Sequence, residues 1–392
     1  MTRETTGNIG SSRSYDAIVV GARPAGAATA MLLGRADKRV LLVDRAVIGG
    51  DTLSTHALMR GGVMQLQRWG LLDQIRDAPT PAIRRTHFHY GDEVVEIGIR
   101  EQFGVDALYA PRRTVLDPVL VEAARAAGVE VVDGLRVTGL RRDAMGLVVG
   151  VVGALAAGVD AIADAEIVVG ADGMASTIAS LVDAPNTYDR TDASAYIYGY
   201  FPGLPNDLYD WHFRPGLMGG VVPTNGVVAN VSVGMTPDRF ASVRTDGVEP
   251  VFRAALREVA PDVARQLERV PPVGRFRSFP GRPGHLRRAY GAGWALVGDA
   301  GSWKDPITAH GITDALRDAE LLVRSLLSTG NAAAYEATRD LFARPFLDLT
   351  TTIAAYGWDL PQLKALHRDL KLASDEEHAL LAGLDGPRSK AA

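Results

Sequence analysis

The sequence predicts an α/β fold: a parallel-sheet unit split by an inserted antiparallel β-sheet and finished by a helical C-terminal region. Three observations predict it. Ala17-Ile18-Val19-Val20 is a short unbroken apolar run leading into a glycine turn and a helix-forming run, the pattern of a buried parallel strand in a β-α-β unit. Between about residues 188 and 284 the texture changes to short strand-like segments separated by Pro, Gly and Asn turns. Beyond residue 312 the chain reads as helix almost to its end.

The elements follow in order. After the strand at 17–20 comes Gly21-Ala22-Arg23-Pro24-Ala25-Gly26, then a helix over 27–35 and a second strand over 39–43 that ends in Asp44. Helical patterns fall at 55–69 and 114–127, the latter stopped by Gly128. Strands are expected at 129–132, 135–140, 147–152 and 166–169, then a turn at Gly170-Ala171-Asp172-Gly173 and a short helix. Strands over 196–200, 209–213, 219–222 and 227–233 form the inserted sheet, and 252–268 reads as one helix. A buried strand returns at 295–297, and Gly298-Asp299 opens a third glycine turn before a helix over 312–327. The expected division is a leader (1–14), a first unit in two parts (15–187 and 288–330), the β-rich insertion (188–287) and the helical C-terminal region (331–392).

Composition narrows the function. With 392 residues, 47% hydrophobic and 22% charged, the chain can bury a sizeable core without staples. A balance of 42 Lys+Arg against 46 Asp+Glu builds no field that would collect nucleic acid or anionic lipid. With no cysteine, disulfides, thiolate metal sites, iron–sulfur clusters and cysteine nucleophiles are excluded, so redox chemistry needs a bound cofactor. No metal site is expected. Residues 1–14 are polar, lack the apolar stretch of a signal peptide and read as a disordered leader with a frayed tail after Leu384 at the other end. The longest apolar run, 147–159, is broken by Gly150, Gly153 and Gly158 and is too short to span a bilayer. The expectation is a soluble, cytoplasmic protein without integral membrane association, monomeric or homodimeric.

In a dinucleotide-binding turn the first glycine allows the bend, the middle one lets a pyrophosphate approach, and the last lets helix and strand pack closely. Gly21 and Gly26 hold the outer places and Arg23 stands in the middle one, where either its guanidinium bonds the pyrophosphate or only its backbone matters. Pro24 suits the first helical turn, and Asp44, eighteen residues past Gly26, is placed to accept ribose hydroxyls.

Together, Gly21-Ala22-Arg23-Pro24-Ala25-Gly26, Gly170-Ala171-Asp172-Gly173 and Gly298-Asp299 running on to Pro306 and Gly311 resemble the FAD-dependent oxidoreductases of the para-hydroxybenzoate hydroxylase type. That superfamily also holds aromatic monooxygenases, flavin-dependent halogenases and geranylgeranyl reductases. The resemblance runs from Asp16 to about Leu327 and implies a Rossmann-like FAD-binding domain. The resemblance implies FAD contacts at Gly21, Arg23, Pro24, Ala25, Gly26, Asp44, Arg45, Arg60, Arg113, Val137, Asp172, Gly298, Asp299, Pro306, His310, Gly311 and Ile312. Asp299 would take the ribityl hydroxyls, and the helix starting at Gly311 would turn its positive end to the flavin. The sequence departs from the family at Ala179, where an arginine is usual, and at Ser302, where histidine is common.

Tyr196, Tyr198 and Tyr200 share one face of a strand, as do Tyr209, Trp211 and Phe213, and such a face suits a flat apolar or aromatic substrate or is plain core. Tyr198, Tyr200, Trp211, His212 and Trp303 are the candidate substrate contacts, and His212, His56 and Tyr198 the candidate catalytic residues, since imidazole titrates near neutrality.

The activity the resemblance implies first is a monooxygenase (hydroxylase) that takes electrons from NAD(P)H and O₂ as co-substrate. It would insert one oxygen atom through a C4a-hydroperoxyflavin into an aromatic or polycyclic small molecule of secondary metabolism. A reductase or dehydrogenase of a prenyl-like substrate is the alternative: Pro223-Thr224-Asn225-Gly226 resembles part of a lipid-contact motif. A halogenase ranks below both, because Trp69, Trp211, Trp294, Trp303 and Trp358 include no Trp-x-Trp pair. A flavin carrier without turnover is a fourth possibility.

Overall fold

Unbroken apolar runs become central parallel strands because helices or further strands cover both of their faces. In the computed structural model, which describes residues 7–8, 14–155 and 158–384, five parallel strands lie in the order Trp294–Leu296, Asp160–Gly170, Tyr15–Val20, Val40–Val43 and Glu130–Val132. The helices Pro24–Arg35, Arg113–Ala126 and Gly311–Thr329 cover one face and bury Ala27, Met31, Leu116, Leu120 and Leu316. The opposite face, with Ile18, Leu41 and Val168, is covered by the antiparallel strands Leu135–Arg142 and Val148–Leu155 and by the short helix Thr177–Leu181. Asp160–Gly170 is long enough to serve both layers: its first half pairs with Val148–Leu155 and the rest with the parallel sheet.

The second sheet has seven strands, in the order Arg277–Phe279, Ala195–Pro202, Val228–Met235, Leu217–Thr224, Leu208–Arg214, Arg85–Tyr90 and Glu93–Gly98. Its neighbours are antiparallel except Leu208–Arg214 with Arg85–Tyr90, which run parallel. One face carries Ile197, Phe201, Val221 and Val231 against the amphipathic helix Val248–Val259. The other carries Tyr196, Trp211, Phe213 and Met218, together with Phe346, Ile353 and Leu363 of the C-terminal helices Ala333–Ala354 and Leu360–Gly383.

Three differences from the sequence reading have local causes. Residues 85–98 were placed in the first unit with no element expected there, but they form a hairpin that supplies the edge of the second sheet; polar His87 and His89 on one strand and Glu93 and Glu96 on the other mask its strand period. The helix expected over 55–69 starts only at Arg60, because His56 adopts a left-handed φ of 67° and residues 52–57 form a loop. The helix expected over 252–268 breaks at Ala260, which leaves the helical region as a residue before proline does, and resumes as Pro261–Gln266. Of the polar leader, Gly7–Asn8 pair with Ala161 and Ile162; residues 1–6 and 9–13, and the tail after Leu384, lie outside the described residues. No helix among the described residues is long and apolar enough to cross a membrane.

Candidate active site

A cavity of about 880 Å³ is lined by residues of both sheets. Gly21, Arg23, Pro24, Ala25, Asp44 and Arg45 line it from the first β-α-β unit, and Val137 from the strand behind. Asp172, Asp299, Pro306, Gly311 and Ile312 come from the second and third glycine turns. Tyr196, Tyr198, Ser232 and Phe279 come from the second sheet, with Trp303 and Lys304 from the loop after Asp299.

The turns are held open by close backbone contact. Gly21 has φ +109°, and a Cβ there would stand 2.4 Å from the Ala171 oxygen. A Cβ on Gly26 would stand 1.8 Å from the Gly21 oxygen, so Gly26 lets the helix cross the turn and does not itself line the cavity. Gly298 (φ +61°) likewise sits behind the lining, with room for a Cβ denied by Ala25. Asp44 accepts from the amides of Ala22 (2.7 Å) and Ala46 (2.8 Å), which fixes its carboxylate at the strand end. Asp172 accepts from Ser176 Oγ (2.5 Å) and the Thr177 amide (2.6 Å), capping the short helix at the cavity rim.

Asp117 was not singled out from the sequence. It is 1% exposed and holds two of the arginines that line the cavity: Oδ2 lies 2.7 Å from Arg23 Nη1, and Oδ1 2.7 Å from Arg113 Nε. Its only sequence signal is the four-residue spacing from Arg113 along a helix. The Arg23 guanidinium also reaches the Gly50 oxygen (3.2 Å).

Three helices start at the cavity without a side-chain cap: Pro24–Arg35, Arg113–Ala126 and Gly311–Thr329. Their first amides and the positive ends of their dipoles are left for an anion or an electron-rich edge, which is what the pyrophosphate and ring of a flavin dinucleotide require. By contrast, the helices Thr177–Leu181 and Leu360–Gly383 are capped by Ser176 and Asp359.

Asp299 is half-buried on the cavity wall near Asp314, and desolvation with that neighbouring carboxylate pushes its carboxyl up to about 7. The folded protein therefore holds this proton more tightly than the unfolded chain, whose carboxyl titrates near 3.8. Stability of the FAD-free protein should then fall as pH rises from about 4 through about 7. Asp299→Asn is expected to flatten that slope in urea midpoints measured against pH. Asp305, pushed by burial up to about 6, accounts for the part that remains below about 6.

Inward from Tyr196 on the cavity wall runs a polar chain: its Oη is 3.1 Å from Ser194 Oγ, which donates to Asp305 Oδ1 at 2.5 Å. Asp305 also accepts the amides of Ser194 and Ile307. Lys304 Nζ is 2.5 Å from Asp314, which in turn pairs with the buried Arg317 (3.0 Å).

Several expected site residues stand elsewhere. Arg60 turns from the cavity to donate to the carbonyls of Arg100, Gln102 and Val105, which the 100–105 loop presents to it. His310 bonds the Thr308 carbonyl and packs at a tilt against Phe346 with ring centroids 4.4 Å apart, away from the lining. His212 points to the opposite face of the second sheet, where it contacts Asp210 at 3.0 Å, so it is no base for a substrate in the cavity. Trp211 faces the cavity side but lies flat over Gly220 in the core. His56 is fully buried, and burial with Arg113 and Arg112 pushes its imidazole down to about 3, too low for a general base at neutral pH. It pairs at 2.5 Å with Tyr200, whose ring lies under Arg112 (4.1 Å) and outside the lining. Tyr198 does line the cavity, with its hydroxyl 3.1 Å from the Ser54 amide. Trp303 lines it too and donates to the Arg282 oxygen.

Known proteins share this arrangement. A 6-methylpretetramide 4-monooxygenase of Streptomyces rimosus is 29% identical over 78% of this chain and 73% of its own. A digeranylgeranylglycerophospholipid reductase of Methanocella arvoryzae is 28% identical over 83% of this chain and 81% of its own. Among solved structures, a probable FAD-dependent monooxygenase from Pseudomonas aeruginosa superposes with a TM-score of 0.73 over 93% of this chain and all of its own, at 21% identity. A flavin-dependent brominase superposes at 0.77 over 95% and 94%, at 18% identity, a likeness of fold. The FAD binding domain family matches residues 14–347, a span that takes in both sheets and every residue lining the cavity. The chain therefore belongs to the FAD binding domain family and is an FAD-dependent oxidoreductase.

Proposed function

We propose that the protein is a monooxygenase that takes reducing equivalents from NAD(P)H and transfers one oxygen atom of O₂ to an aromatic or polycyclic small molecule. The observation that carries this reading is the aromatic wall of Tyr196, Tyr198, Phe279 and Trp303 in the same cavity as Asp299, Pro306 and Ile312. The cavity lies near the top of the ~300–1,000 Å³ range of small-molecule sites. The relative that bears a monooxygenase name supports the reaction type.

FAD bound in this cavity would supply the redox and oxygen chemistry that no side chain here provides. The chain's residues bind and orient. The amides at the start of Pro24–Arg35 and the Arg23–Asp117–Arg113 cluster hold the pyrophosphate, while Asp44 takes the adenosine ribose. Asp299 takes the ribityl chain, and the start of Gly311–Thr329 stabilises negative charge on the reduced ring. The aromatic wall excludes water and aligns a flat substrate. Tyr196 takes part in moving a proton: its hydroxyl accepts one from a substrate oxygen and passes its own to Ser194, and Asp305 receives the last in line. A carboxyl that titrates at about 6 can do this near neutrality. Turnover is then expected to rise through about pH 6 and to lose that rise in Asp305→Asn, read as kcat against pH; Tyr196→Phe should lower kcat ~10²-fold at unchanged FAD content.

Reduction of a prenyl-like chain is the second reading, favoured by the reductase relatives. The two part on rapid mixing of anaerobically reduced enzyme with oxygen. A transient absorbance belonging to neither reduced nor oxidised flavin, lengthened by phenolic ligands, supports oxygen transfer. Direct reoxidation with every ligand tried favours the reductase.

A further inference from the structure

Two strands of the second sheet carry side chains that the cavity does not use. His87 and His89 share one face of Arg85–Tyr90, and Asp210 and His212 share one face of Leu208–Arg214. The parallel register sets Asp210 beside His87 and His212 beside His89, and the antiparallel register sets Glu96 on the other flank of His87. Three imidazoles and two carboxylates from three strands therefore meet on one patch. Asp210 is its centre, with Oδ1 2.7 Å from His89 Nε2 and Oδ2 3.0 Å from His212 Nε2. The His89 and His212 rings stack with centroids 4.0 Å apart, and His87 Nε2 lies 2.9 Å from Glu96.

We propose that His87, His89 and Asp210 form a binding site for a divalent cation of the zinc class, on the face of the sheet turned away from the cavity. Their donor atoms all lie within 4.8 Å of one another. Tetrahedral zinc with bonds of 2.0–2.1 Å needs donors about 3.3 Å apart, so ring rotations of the two histidines close the site without moving the strands. Two imidazole nitrogens and one carboxylate oxygen suit zinc, whereas calcium and magnesium take oxygen ligands. Three protein ligands leave a fourth position for water. Outer partners are already in place: Glu96 on His87, and His212 on the second oxygen of Asp210. The side chains of His87, His89 and Asp210 are 20–24% exposed, so an ion can reach them while their neighbours restrain them. A bound cation would tie the hairpin 85–98 to the inserted sheet across its one parallel pairing among the described strands. The sequence does not announce the site, because His87-x-His89 and Asp210-x-His212 lie far apart until the strands pair.

The test is calorimetric titration of ZnCl₂ into FAD-loaded protein that has been treated with EDTA and desalted, beside H89Q and D210N, each checked for folding by its flavin spectrum. Saturable one-to-one binding is expected in the parent, weakened ~10-fold or more in each variant. Zinc should raise the Tm of the parent and leave the variants unmoved, and magnesium should raise none of them. Absence of saturable binding, binding that both variants retain, or an equal response to magnesium would overturn the proposal.

Discussion

Asp117→Ala is expected to lower stability by about 3–5 kcal/mol and to leave the protein without FAD after gel filtration. The size follows from what the carboxylate holds. It is 1% exposed and pairs with two guanidiniums, one of which, Arg113, is itself 9% exposed in its side chain. Removing one partner of a buried pair leaves an uncompensated charge and costs about that much, more than the pair contributes relative to an apolar isostere. Urea unfolding of the FAD-free variant measures the first effect and the flavin-to-protein absorbance ratio the second. Arg23→Ala is expected to be milder in stability, because its side chain is 32% exposed and water can replace its partner. Unchanged FAD content in Asp117→Ala would remove the arginine pair from the cofactor site.

The second large effect is expected at Arg317. This side chain is 1% exposed and is shared by Asp314 (3.0 Å), Asp318 (2.7 Å) and Glu377 (2.6 Å). Arg317→Ala takes away the cation the three carboxylates have in common, and a loss of about 3–5 kcal/mol is expected from that alone. Asp318, whose carboxyl burial already pushes up, would take a proton. Glu377 belongs to the helix Leu360–Gly383 and Asp314 to the helix whose start faces the cavity, so the change also frees the C-terminal helix from the cavity-facing one. Thermal unfolding and early proteolysis within 360–383 would report it. Arg317→Lys keeps the charge but not the fork of donors, so it should recover only part of the loss.

How much of this was legible beforehand depended on how local the signal was. The glycine turns at Gly21, Gly170 and Gly298 could be read because a tight bend needs particular residues within a few positions. Those turns also bring most of the expected cofactor residues to one cavity. The reading failed where a side chain's partner was remote or its own conformation unusual. Arg60 resembles a cofactor arginine in sequence, yet it meets carbonyls about 40 residues away. His56 looks like a base until a left-handed backbone and full burial are known. Asp117 and Asp305 matter through partners, Arg23 and Ser194, that stand 94 and 111 residues away, separations that periodicity does not report. The hairpin 85–98 was missed because its pairing partner is contributed by residues 208–214.

The strand Trp294–Leu296 completes the parallel sheet against Asp160–Gly170, some 130 residues earlier, and the turn that follows it closes the cavity. During synthesis, which proceeds from the N-terminus at ~5–20 residues per second, the cavity wall built on Gly21 and Asp44 exists long before the wall built on Asp299 and Gly311. For that interval one edge of Asp160–Gly170 is a bare row of amides and carbonyls, a template for another chain as much as for its own. The nascent protein cannot shelter that edge by capturing FAD early, because Asp299, Pro306 and Gly311 have yet to emerge. Maturation thus turns on the last quarter of the chain docking promptly, and a scarcity of chaperone should lower yield more sharply than a scarcity of flavin.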